Sequence, residues 1–228
     1  MLWTKETVRA NIRNREGKRV FFLGKGDQLT SDARDYLTHE RIEIRPADSA
    51  KIEVYHLPGG GMLTEKPEHM THLHGDVLVR KTHPRIAFRG AMDTLEAELL
   101  LAQQAAPRWD AELGEILTLA RNLIRWEVME EPVEEKPLCG MTSDEIRQRS
   151  HVPQKYYDQP HFMPQVSDGP ALLQLNRARC AARQAELAAT AAFLDADGVP
   201  TRVDILQTLN RMSSMLYILM LRQKADNK

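Results

Sequence analysis

Residues 171–194 read ALLQLNRARCAARQAELAATAAFL, and residues 203–222 read VDILQTLNRMSSMLYILMLR. In the first stretch Asn176, Arg179, Arg183, Glu186 and Thr190 follow one another at spacings of three and four, which puts them on one face of a helix about four turns long. The other side carries Leu173, Ala181, Ala185, Ala188 and Ala192, small residues that let neighbouring helices come close. In the second stretch Ile205, Leu209, Met212, Leu216 and Leu219 form an apolar face. Gln207, Asn210, Ser214 and Tyr217 run beside it as a polar stripe. Two polar stripes on consecutive long helices are set to face each other across a cleft. The plainer reading is two solvated faces with Arg–Glu pairs, each contributing about 0.2–0.5 kcal/mol. Against it stands Asn210, an amide inside an apolar helix that needs partners and offers both a donor and an acceptor. Arginines one turn apart also suit bidentate phosphate contact.

Working outward from this pair, Phe88, Met92, Leu95, Leu99 and Ala102 share one helical face, and Leu113, Ile116, Leu117, Ala120, Leu123 and Ile124 share another that ends before Pro132. Thr142 with Glu145 forms a capping box ahead of a short helix. Pro153, Pro160 and Pro164 break the chain into an irregular loop before residue 171. The fold expected is mostly α, an antiparallel five-helix bundle with a small N-terminal α/β unit. In that unit residues 18–23 read as a strand, Thr30 or Ser31 caps a short helix, and residues 42–44 resume extended alternation. The expected organisation is residues 1–58 as the α/β unit, 59–75 as a linker opened by the glycines 59–61, and 76–228 as the helical domain.

Charge and composition exclude several classes. The chain of 228 residues has 31 Lys and Arg against 32 Asp and Glu, so no basic field draws nucleic acid and any anion site is a local cluster. Two cysteines, Cys139 and Cys180, exclude a cysteine metal cluster and fit a reducing compartment. Lys5, Glu6 and Arg9 interrupt the first residues, so neither a secretory signal nor a membrane span is expected, and the protein is expected in the cytoplasm.

Further candidates lie ahead of the first long helix. Arg80, Lys81 and Arg85 gather after Gly75 at a helix N-terminus, where backbone N–H groups, the dipole and cationic side chains suit a phosphate, although no Walker-type motif is present. Asp93 lies next to the apolar face and calls for a cationic partner, for which an arginine of the fourth helix is the natural choice. His69, His72 and His74 have the chemistry of transition-metal ligands, but in a polar loop histidines are ordinarily just solvated, and no metal site is assigned to them.

Taken together, these residues resemble the cobalamin adenosyltransferase family, most closely its ethanolamine-utilisation branch. Lys81, Arg85, Gly90 and Asp93 resemble the family's pattern opening the first bundle helix, with Asp93 matching the aspartate that pairs with a catalytic-site arginine. Arg179, Arg183 and Glu186 resemble the arginine-rich signature of the ATP site. Leu209-Asn210-Arg211-Met212-Ser213 is similar to the last-helix motif whose asparagine serves the nucleotide. Phe162 in Phe162-Met163-Pro164 looks like the aromatic residue placed beneath the corrin ring. Thr71 belongs to what stands here for the family's phosphate loop, residues 71–76.

The resemblance implies transfer of the 5′-deoxyadenosyl group of ATP to the cobalt of reduced cobalamin, with Mg²⁺ and release of triphosphate. It assigns Arg179 and Asp93 to the catalytic centre, Thr71, Lys81, Arg85, Arg183, Glu186 and Asn210 to ATP, and Phe162 to cobalamin. It also implies a homo-oligomer, commonly a trimer with the site between subunits, and as partners a flavoprotein reductase and microcompartment enzymes. The chain departs from the family in lacking the branch's cysteine cluster between residues 56 and 75, and in having Gln184 and Ser214 where an arginine and an acidic residue are common. The missing cluster motivates two other readings, a non-catalytic corrinoid or nucleotide carrier and a structural helical module.

Overall fold

Val8, Phe21, Ala33, Leu37 and Ile42, none more than 6% exposed, form the core of an N-terminal unit of the computed structural model, which describes residues 1–15, 18–47 and 54–226. The chain divides into two units, residues 1–55 with 62–65, and residues 56–61 with 66–228.

The first unit begins with β1 (Leu2–Trp3), α1 (Lys5–Ala10), β2 (Arg13–Arg15) and β3 (Lys18–Leu23). It continues through β4 (Gln28–Leu29), α2 (Ser31–His39) and β5 (Glu43–Pro46). Strand β3 pairs antiparallel with β2 and parallel with β5. A parallel partner requires a crossover, and α2 supplies it. Thr30 caps α2 through its hydroxyl, which accepts from the Ala33 N–H at 3.3 Å, in agreement with the cap read from the sequence. Trp3 packs edge-on against Phe21 and donates its indole N–H to Asp27 at 2.8 Å.

Next in the chain come β6 (Tyr55–His56) and β7 (Met62–Leu63), and β8 (Met70–His74) opens the longer segment of the second unit. Residues 59–75 are therefore not wholly the loop that their glycines and histidines suggest. Met70 to His74 alternates with Leu73 buried, and β8 pairs antiparallel with β9 (Val77–Arg80) through a turn at Gly75, φ +48°. The partner strand satisfies a backbone that composition alone marks as irregular.

The second unit is helical: α3 (Pro84–Ala105), α4 (Asp110–Val128), α5 (Ser143–His151), α6 (Pro153–Tyr157), α7 (Gly169–Ala192) and α8 (Val203–Asp226). Helix α3 starts at Pro84, whose missing N–H costs nothing at a first position, and His83 Nδ1 accepts from the Arg85 N–H. The Thr142–Glu145 capping box forms at α5 as expected. Helix α6 is an additional turn that Pro153 initiates.

Helix α7 packs along both α3 and α8, α4 lies against α3, and α5 and α6 lie against α8. Small side chains make the central position of α7 possible: Ala178, Ala182, Ala185 and Ala189 are fully buried. Phe88, Met92, Leu95 and Leu99 of α3 and Ile205, Leu209, Met212 and Leu216 of α8 are buried completely in the same core. Among the described residues, no helix is long and apolar enough to cross a membrane.

Candidate active site

The polar stripes of α7 and α8 meet. Asn210 Nδ2 donates to Glu186 Oε1 at 3.0 Å, and the Arg179 guanidinium lies 5.3 Å from the centroid of the Tyr217 ring. Seven residues separate Arg179 from Glu186, and seven separate Asn210 from Tyr217. The two contacts therefore sit two turns apart on antiparallel helices, with Arg183 and Ser214 between them.

The amide of Asn210 has a fixed orientation. Arg211 Nη1, which only donates, approaches Asn210 Oδ1 at 2.6 Å, so the oxygen faces Arg211 and the nitrogen faces Glu186. Arg211 also donates from Nε to Ser143 Oγ at 2.9 Å. Burial, reinforced by the charge of Arg147, holds the Arg211 guanidinium below its ordinary pKa. Arg183, by contrast, is exposed and has no intramolecular hydrogen bond or ion pair among the described residues.

An aromatic cluster closes the other end of the face. Phe162 stacks on Tyr217 with centroids 6.1 Å apart and planes 24° apart, and His161 Nδ1 lies 3.1 Å from the Tyr217 hydroxyl. Lys224 Nζ lies 5.5 Å from the Phe162 centroid and pairs with the buried Asp168, whose carboxyl it holds below the usual range. Neither His161 nor Lys224 was picked out by motif. Lys224 is detectable by period, since it falls seven residues after Tyr217 on the same stripe.

The remaining candidates lie apart from this face or carry other partners. Thr71 is half-buried in β8 opposite Val79, and Lys81 is exposed with Nζ 3.4 Å from Glu68. Arg85 is bound by Glu127, at 2.5 Å from Nε to Oε1, and by the Glu127 carbonyl at 2.9 Å. Arg89 holds the other oxygen of the same fully buried carboxylate at 2.7 Å and reaches the Leu73 carbonyl at 2.7 Å. Arg85 thus works as half of a clamp joining α3, α4 and β8. Glu127, missed in the sequence, carried a readable signal: a carboxylate four residues after Leu123 and next to Trp126, on the buried face of α4. Asp93 is exposed and has no ion pair among the described residues, which corrects the expectation of an arginine partner from the fourth helix of its own chain. It points outward because Met92 and Leu95 take the buried face of α3.

Among the described residues no three His, Cys, Asp or Glu side chains gather to hold a metal. His72 Nδ1 lies 3.0 Å from the Gly75 carbonyl, and His74 Nε2 lies 3.8 Å from Glu130. A cavity of about 660 Å³ opens between α4, α5, α8 and residues 133–138, and none of the expected site residues lines it; Arg211, in its wall, connects it to Asn210.

Comparison with known proteins gives this arrangement a class. The cobalamin adenosyltransferase family profile matches residues 62–223, and the chain belongs to that family, in its ethanolamine-utilisation branch. The corrinoid adenosyltransferase EutT of Salmonella typhimurium is 30% identical to it over 98% of this chain and 92% of its own. EutT of Escherichia coli strain K12 is 32% identical over 96% of this chain and 90% of its own. No solved structure matches the chain.

Proposed function

We propose that this protein transfers the 5′-deoxyadenosyl group of ATP to the cobalt of a reduced corrinoid. The observation that carries the reading is the facing pair of stripes, Glu186 with Asn210 and Arg179 with Tyr217, in a member of this family. The electron pair of cob(I)alamin attacks the 5′ carbon, a cobalt–carbon bond forms, the carbon–oxygen bond to the α-phosphate breaks, and triphosphate leaves. The protein contributes position and electrostatics. Arg179, Arg183 and Lys81 stabilise the triphosphate, and Glu186 and Asn210 hold the nucleoside end. The exposed guanidinium of Arg183, unpaired among the described residues, suits an anionic ligand. Thr71 lies on the strand that leads to Lys81, whereas Arg85 serves ATP indirectly, by fixing the start of α3 through Glu127.

Phe162 takes the lower face of the corrin and displaces the lower cobalt ligand. Mg²⁺ would accompany the triphosphate, whose oxygens suit it, and would neutralise part of its charge. The helices form an antiparallel five-helix bundle, α6 being an added turn. The chain assembles as a homo-oligomer in which the exposed Asp93 pairs with an arginine of a second copy. The working place is the cytoplasm beside a microcompartment, with a flavoprotein reductase supplying the reduced corrinoid.

Binding tests this reading. Titration calorimetry with Mg·ATP and with cob(II)alamin should show that both bind and that a complex with both forms. Binding of only one substrate would favour a carrier, and binding of neither a structural module.

A further inference from the structure

The phenol of Tyr217 stands where the two substrate subsites meet. On one side its ring lies under the Arg179 guanidinium at 5.3 Å. On the other it stacks with Phe162, and its hydroxyl lies 3.1 Å from His161 Nδ1. The polarity of this network follows from its acceptors. His161 Nε2 lies 3.3 Å from the His151 carbonyl, which only accepts, so in the neutral ring Nε2 carries the proton and Nδ1 is the acceptor. The Tyr217 hydroxyl therefore donates to the neutral His161 ring. Burial raises the phenol above its ordinary pKa and keeps that proton in place. The loop carrying Phe162 is exposed at His161, Met163 and Gln165, and beside Tyr217 its contacts include His161 with the His151 carbonyl, Lys224 over the Phe162 ring and Gln165 with Asp168.

We infer that Tyr217 is a positioning residue that couples the two subsites: its hydroxyl sets the pose of the His161–Phe162 loop beneath the corrin, and its ring sets the Arg179 guanidinium at the triphosphate. This inference rests on the proposed function. It adds that corrinoid and nucleotide placement share one side chain, and that the hydroxyl and the ring serve different substrates.

The two parts separate by substitution. Tyr217→Phe keeps the ring and removes the donor. It should raise the KM for corrinoid about three- to tenfold, as befits one net hydrogen bond, and leave the KM for ATP within about twofold. Tyr217→Leu removes the ring as well and should raise both. The electron paramagnetic resonance spectrum of cob(II)alamin bound with Mg·ATP gives an independent readout, because nitrogen splitting from the lower ligand disappears on displacement. Tyr217→Phe should retain more of that splitting than the parent. His161→Gln, on the exposed side of the same bond, should behave alike and serves if Tyr217→Phe does not fold. Parent-like corrinoid KM and spectrum in Tyr217→Phe, or in His161→Gln, would overturn the inference, provided that Phe162→Ala alters both. If Phe162→Ala leaves both unchanged, the corrin-face reading itself fails and the inference falls with it.

Discussion

Asn210 Nδ2 donates to Glu186 Oε1 at 3.0 Å while Arg211 occupies its oxygen, so the amide bridges α7 and the flank of α8 in a single orientation. Asn210→Ala removes the bridge. It should reduce transfer activity about a hundredfold, on the scale of misplacing a bound substrate by about 1 Å, with far-UV helicity retained. Steady-state kinetics beside circular dichroism check this.

Arg183→Ala makes the contrasting case. The side chain is exposed and has no partner among the described residues, so stability should stay within about 0.5 kcal/mol of the parent. Activity should fall nonetheless. Loss of activity with an unchanged urea midpoint supports the nucleotide role; full activity refutes it.

Glu127 is fully buried between Arg85 and Arg89. Removing one member of such a group leaves buried charge uncompensated. Glu127→Ala should cost about 3–5 kcal/mol by urea denaturation. Arg85→Ala should also destabilise, which separates it from Arg183 as a structural residue.

Glu98, on α3, is bound by Arg177 and Gln174 of α7, and Arg177 holds its carboxyl below the usual range. A depressed folded-state pKa contributes stability that is complete above the unfolded-state value and is lost as pH falls through the folded value. The stability difference between the parent and Glu98→Gln should therefore be largest near neutrality and shrink as the pH falls through and below the ordinary carboxylate range. A difference independent of pH would mean that the ion pair contributes nothing.

Cys139 is half-buried beside Glu115 and Glu112, and burial first, then those carboxylates, push its thiol up to about 12. Cys180 is exposed on α7. A disulfide-exchange reagent at pH 8 should titrate Cys180 rapidly and Cys139 only after denaturation.

Much of this organisation was legible because helical period is written locally. The apolar faces of α3, α4 and α8 fall where their three-four spacing puts them, and the Thr142–Glu145 box marks the start of α5, whereas on α7 only Ala181 and Ala185 of the expected side are buried and Leu172, Leu175, Ala178, Ala182 and Ala189 complete the packed face. The stripes of α7 and α8 were likewise readable residue by residue. What stayed hidden depends on partners distant in sequence. Strand β8 exists through pairing with β9, across residues whose glycines and histidines read as a loop. Arg85 reads as a phosphate ligand until Glu127, 42 residues away, is seen to hold it. Asp93 calls for a partner that its own chain does not supply among the described residues.

The most direct measurement is anaerobic incubation of the purified chain with ATP, Mg²⁺ and chemically reduced cobalamin, following the cob(I)alamin absorbance band. The account predicts that the band decays only with ATP present and that a light-sensitive adenosylated corrinoid and triphosphate appear together. A band that persists while both substrates are bound would contradict it and leave the protein a carrier.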